Sequence, residues 1–124
     1  MITEDYVSFE VAKLLKEKEF DEICYLGYNK NGEYVPTSNR TNSQIIQPDF
    51  CFICCPTLQM AMKWFLKKYN IFICVLFLEE YNGFGYTIEN TLKKKYIATS
   101  ENSSYKEPEE AVEVAIKYCL VNLI

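Results

Sequence analysis

Ile71–Leu78 (IFICVLFL) sets an unbroken apolar run inside a 124-residue chain, and nothing else in the sequence restricts the fold as tightly. The run is far below the ~20 residues needed to cross a bilayer. Its β-branched and aromatic content, with the turn dipeptide Asn82-Gly83 behind it, reads as a strand rather than a helix. Alternation then puts Ile71, Ile73, Val75 and Phe77 on one face and Phe72, Cys74, Leu76 and Leu78 on the other. A strand that is apolar on both faces is expected to be central in its sheet and covered on both sides, by helices or by another subunit. With Asn82-Gly83 as a two-residue loop, Phe77 lies opposite Ile88 and Glu79 opposite Tyr86. That register sets Phe84, Tyr86 and Ile88 on the Ile71 face.

The rest of the chain arranges itself around this strand. Val7, Val11, Leu14 and Leu15 recur at helical spacing, and Ser8 is the natural N-cap of a helix over 8–19. EICYLGYN and EYVPT flank Asn31-Gly32, which predicts a type I′ hairpin with strands near 22–29 and 33–37. Pro36 makes the second strand short or an edge. A polar stretch follows over 38–49, then a short strand near 50–54. Pro56-Thr57 opens a second helix, capped by Thr57, with Leu58, Ala61, Met62, Phe65, Leu66 and Tyr69 on one face and Asn70 as its end. A further strand is expected near 93–99. Pro108 suits the first position of a last helix over about 108–122. The order αββ(β)αβββα describes a single α+β domain over 1–124, a mainly antiparallel sheet packed by about three helices.

Six Cys, ten Tyr, eight Phe and no His bound the chemistry. Without imidazole there is no side chain with an unperturbed pKa near neutrality, so Ser-His-Asp and Cys-His nucleophiles are excluded, as is the usual catalytic zinc site. The net charge of −4 argues against phosphate neutralisation, since Lys93-Lys94-Lys95 is the sole basic run. Nucleic acid is therefore an unlikely partner. The N-terminus lacks the basic flank and apolar stretch of a signal peptide, and no segment suits a membrane. A cytoplasmic location with reduced thiols is the expectation.

Three sets of residues invite a functional reading. Cys51, Cys54 and Cys55 meet C-x-x-C spacing once, whereas a closed zinc site needs four ligands. Cys54 and Cys55 precede a helix start, whose dipole would acidify a thiol there. Cys24, Cys74 and Cys119 fall on apolar faces, and core packing explains the set better than chemistry does. Glu79-Glu80 diverge if in a strand, while Glu109-Glu110 suit a helix N-terminus. The glycines form no phosphate-binding pattern. On the second helix, Met60 and Trp64 lie opposite Leu58, Met62 and Phe65 and are ringed by Lys63, Lys67 and Lys68. Met60, Trp64, Lys67 and Lys68 are the candidate partner-binding residues, unless the loop 38–49 covers the pair with Ile45 and Ile46. The last helix has a similarly wide apolar arc.

The stretches YVSFEVAKLLKEKEFDE (6–22), PTLQMAMKWFLKKYNIFI (56–73) and EEAVEVAIKYCLVNLI (109–124) together resemble a set of short proteins of gut Bacteroidetes and their phages and mobile elements. Those proteins often end the first helix with Gly, where this chain has Glu19. The resemblance implies no activity, cofactor or catalytic residue. It implies an accessory-genome setting in which small proteins act by binding host or virion proteins. The expectation is thus a non-enzymatic interaction protein, with a protein partner or as a homodimer, and with no cofactor, metal or catalytic residue assigned. One alternative is a small cysteine-based enzyme or redox protein centred on Cys54 and Cys55. Another is a single-stranded nucleic-acid binder using sheet aromatics.

Overall fold

The computed structural model describes residues 2–44, 52–100 and 104–124. Among the described residues the chain is α+β, with three helices and six strands in the expected order, the strands forming two three-stranded antiparallel sheets where one sheet is expected. Its residues gather into two compact units, 1–57 with 120–124, and 58–119.

In the first unit, α1 (Phe9–Glu17) starts at Ser8, whose side-chain oxygen accepts from the Val11 amide at 3.2 Å. It buries Val11, Ala12 and Leu15. Its end is a paired-amide cap: Phe20 N–H donates to Leu15 O (2.9 Å) and Glu19 N–H to Lys16 O (3.0 Å). That geometry needs a left-handed residue, and Glu19 adopts it with φ 64°. The position is one that Gly takes without Cβ strain. Glu19→Gly is expected to raise stability by about 0.5–1 kcal/mol, the relief of a left-handed side chain less the added freedom of the unfolded chain. Urea unfolding checks this, and a loss of stability would refute it.

β1 (Cys24–Tyr28) is central between β2 (Tyr34–Arg40) and β3 (Ile53–Cys54). Pro36 therefore stands in an edge strand, as its missing amide requires. The first hairpin differs from expectation. Among Asn31 and Gly32 only Gly32 has positive φ (78°), whereas a type I′ turn needs two such residues. The Asn29 amide donates to Glu33 O and the Gly32 amide to Asn29 O, so Lys30, Asn31 and Gly32 form a three-residue loop. Asn29 Oδ1 holds it by accepting from the amides of Asn31 and Glu33. Farther along, Ser38 and Asn39 both take positive φ, and the β1–β2 register shifts between Cys24 and Leu26. Residues 45–51, including Ile45, Ile46 and Cys51, lie outside the described residues, so the start of the strand placed near 50–54 does too.

In the second unit, α2 (Leu58–Tyr69) ends where Asn70 turns left-handed (φ 57°). β4 (Ile71–Leu78) follows at once and pairs with β5 (Gly83–Asn90), which pairs with β6 (Lys95–Thr99). α3 spans Pro108–Asn122. The second hairpin is also longer than predicted. Glu79–Tyr81 form a 3-10 turn and Asn82 closes it at φ 47°, ψ 48°, so Leu78 meets Gly83 and Phe77 meets Phe84. Phe77 opposite Phe84 rather than Ile88 is a displacement of four positions. Because four is even, every side chain keeps its face: Phe84, Tyr86 and Ile88 do lie with Ile71, Ile73, Val75 and Phe77.

One expectation about β4 fails. β5 is the central strand, and among the described residues β4 pairs with β5 alone. Its Ile71 face is covered over Ile71, Ile73, Tyr86 and Ile88, which are buried, while Val75 and Phe84 are half-buried and Phe77, at the hairpin end, is 54% exposed. Tyr86 lies near Tyr105, Tyr118 and Cys119, and burial raises its pKa. The Phe72 face is not covered in this way. No helix among the described residues is long and apolar enough to cross a membrane.

Candidate interaction surface

The exposed face of the β4–β5–β6 sheet is built from alternate residues of its strands. Phe72, Cys74, Leu76 and Leu78 come from β4 and Thr87 and Glu89 from β5. The pairs Glu89–Tyr96 and Thr87–Thr99 add Tyr96 and Thr99 from β6. Phe72 is 42% exposed and Tyr96 73%, while Cys74, Leu76 and Leu78 are half-buried. At the Leu78 end a groove of about 310 Å³ opens between Leu76, Leu78, Tyr81, Thr87, Thr99 and Ser100. Gly85 makes room for it: an added Cβ would stand 2.5 Å from Ser100 Oγ and 2.7 Å from Leu78 Cδ1. Ser100 Oγ is itself fixed by accepting the Tyr86 amide at 2.9 Å.

The two ends of this unit carry opposite charge. Ile71 pairs with Asn90, so the exposed Lys93, Lys94 and Lys95 of the β5–β6 turn mark one end. Lys67 and Lys68, in the last turn of α2, precede β4 at that end, against the half-buried Glu89. Exposed Glu79 and Glu80 mark the other end. Phe84 bridges Tyr105 there, which brings the start of α3 with Glu107, Glu109 and Glu110, against Lys106. In the folded unit the acids on either side of the hairpin, far apart in sequence, share one end.

The predicted patch on the second helix does not form as expected. Trp64 is 7% exposed and Met60 half-buried. The Trp64 ring stands edge-on to Phe65 (5.1 Å) and Tyr69 (5.3 Å), with the Lys68 ammonium 5.2 Å from its centroid. The buried residues of α2 are Leu58, Ala61, Trp64 and Phe65, whereas Met62 is half-buried and Leu66 exposed. The buried arc is thus turned by roughly 60° from the predicted one, toward the indole. Burying the largest apolar side chain outweighs burying Met62 and Leu66. Of the four candidate residues, Lys67 and Lys68 remain at the surface.

The cysteines separate by position. All five described ones are thiols, not half-cystines. Cys24, Cys54, Cys55 and Cys119 are buried, and Cys74 is half-buried on the exposed sheet face. The adjacent Cys54 and Cys55 do not act together. Cys54 Sγ reaches Arg40 O at 3.4 Å, whereas Cys55 Sγ reaches Val7 O at 3.5 Å. The thiol that meets Cys54 is Cys24, from 30 positions away in the chain. A hydrogen bond to Cys54, together with burial, holds the Cys24 thiol far above its ordinary range, and the same bond lowers Cys54. Burial pushes Cys119 up to about 12. Cys54 and Cys55 are 0% and 1% exposed, so neither offers its sulfur to a bulky substrate. Among the described residues no group of His, Cys, Asp or Glu is arranged to hold a metal ion.

Tyr81, Tyr96, Thr99 and the groove escape the sequence reading. The alternation of β4 places Phe72, Cys74, Leu76 and Leu78 on one face, but two apolar faces look the same in a sequence whether or not a helix covers each. Compared with protein-family models, with curated proteins and with solved structures, the chain has no match in any of the three.

Proposed function

We propose that the chain is a non-enzymatic interaction protein whose contact surface is the exposed face of the β4–β5–β6 sheet, in the accessory-genome setting that the sequence resemblance implies. What carries the reading is a partly exposed sheet face, apolar along β4, with a groove at one end and with Phe72 and Tyr96 standing out from it. Exposed aromatics around a concave apolar site are the usual anchors of protein contacts. The buried thiols and the absence of imidazole supply no comparable arrangement for catalysis.

Leu76→Arg tests the reading. Its side chain is half-buried at the groove, so a cation there repels an apolar partner without opening the core. Tagged wild-type chain is expected to capture a partner from a Bacteroidetes lysate, and Leu76→Arg to lose about tenfold of that capture, the equivalent of one lost anchor. The melting temperature should be nearly unchanged. Equal capture by the two chains, both folded, refutes the assignment of this face.

A further inference from the structure

We propose that the exposed face of the β4–β5–β6 sheet binds a second copy of itself, the strands of the two copies running antiparallel. This rests on the reading of that face as an interaction surface and names its occupant. The face carries a projecting row at one end and a groove at the other. Phe72, Glu89 and Tyr96 form one cross-strand row near the Lys93–Lys95 end. The groove between Leu76, Leu78, Tyr81, Thr87, Thr99 and Ser100 lies toward the Glu79–Glu80 end. A two-fold axis lying between the sheets and across the strands stacks β4 on β4 and β6 on β6. Phe72 of each copy then falls over the Leu76–Leu78 side of the partner's groove, and Tyr96, level with Phe72, at its Ser100 edge. Sheets packed face to face at about 10 Å interdigitate side chains in this way.

Charge selects the same arrangement. An antiparallel stack puts the Glu79–Glu80 end of each copy on the Lys93–Lys95 end of the other, whereas a parallel stack puts like on like. A partner of one sign satisfies a single end. A second copy satisfies both, and identically. The contact is small: β4 and β5 of eight residues and β6 of five, about 4.8 Å apart and rising ~3.3 Å per residue, give roughly 330 Å² per copy. Stable complexes bury about 800 Å² per partner, so this dimer is weak and depends on concentration.

Sedimentation equilibrium over a wide concentration range tests it with the whole chain. A reversible monomer–dimer equilibrium is expected, weakened about tenfold between 0.1 and 1 M salt as the Debye length falls from about 10 to about 3 Å. Two exposed pairs are then reversed: Glu79→Lys with Glu80→Lys in one chain, and Lys93→Glu with Lys94→Glu in another. Each variant alone should associate at least about tenfold more weakly, because its ends now match in sign. An equimolar mixture should recover the wild-type affinity, since both end contacts of the heterodimer are again opposite. A mixture no better than its components overturns the proposal, as does a wild-type chain that stays monomeric throughout. A monomeric chain whose lysate capture still depends on Leu76 sinks the second copy and leaves the interaction face standing. A chain with neither association nor Leu76-dependent capture sinks both.

Discussion

Trp64→Ala is expected to lower the stability of this protein by about 3–5 kcal/mol, as much as Phe65→Ala, the usual range for deleting a buried aromatic ring. Both side chains are inside: Phe65 is fully buried and Trp64 nearly so, and they meet edge-on at 5.1 Å. The indole also meets the Tyr69 ring at 5.3 Å, a contact that Ala cannot make. Lys68 lies over both Trp64 and Tyr69, at 5.2 and 5.5 Å, so it loses one of its two π faces in the variant. Urea unfolding of the two variants decides the matter. The expected result is a pair of midpoints lowered alike and independent of protein concentration. If Trp64→Ala costs less than about 1 kcal/mol while Phe65→Ala costs several, the indole is a surface group. Trp64 is the sole tryptophan, so emission from a buried indole in the native wild-type chain gives a second check.

Where the sequence proved legible, one residue had one physical job. Ser8 caps α1 because its oxygen is within reach of an orphan amide. Asn70 stops α2 because it tolerates a left-handed backbone. Pro36 belongs at a sheet edge because it has no amide to donate. The faces of β4 and β5 were also readable, since period-two alternation survives any even error in the loop.

The differences from expectation have two causes: a loop can coil ahead of its turn dipeptide, and an apolar face does not say what packs against it. Asn82-Gly83 offers a tight turn, yet Glu79–Tyr81 coil first and only Asn82 takes the left-handed conformation. Apolar residues on both faces of β4 suggested a central strand, but the Phe72 face is left exposed. A helical wheel finds the apolar arc of α2 but not how far it is turned, and here Trp64 carried the arc with it. The Cys24–Cys54 pairing was hidden for a similar reason. Adjacency in the chain points to Cys54–Cys55, whereas the thiol beside Cys54 lies on another strand.

Gly27→Val should cost about 2–3 kcal/mol, the upper part of the range for overpacking a close-fitting site. Gly27 sits in central β1 between Val35 of β2 and Cys54 of β3. A Cβ added there would stand 2.8 Å from the carbonyl oxygen of Ile53 and 3.0 Å from Thr37 Cγ2. The first contact is backbone and cannot rotate away, so β3 must move. β3 has only two residues, and Cys54 is one of them. Its amide donates to Asn42 Oδ1 at 2.9 Å, and Asn42 Nδ2 donates to Phe20 O at 2.8 Å. Displacing β3 therefore strains a chain of bonds that ends behind α1. Gly85→Val is the comparison, because an added Cβ there meets side chains rather than backbone: the Leu78 end can turn into the groove, and Ser100 can rotate at the cost of the one bond it accepts from the Tyr86 amide. Urea unfolding should rank Gly27→Val as the costlier by about 1 kcal/mol or more. Native-state thiol labelling should show Cys54 reacting faster in Gly27→Val and unchanged in Gly85→Val. Equal costs, or a Cys54 that stays protected in both, would mean that β3 yields without disturbing the thiol, and that the Ile53 carbonyl does not set the spacing between β1 and β3.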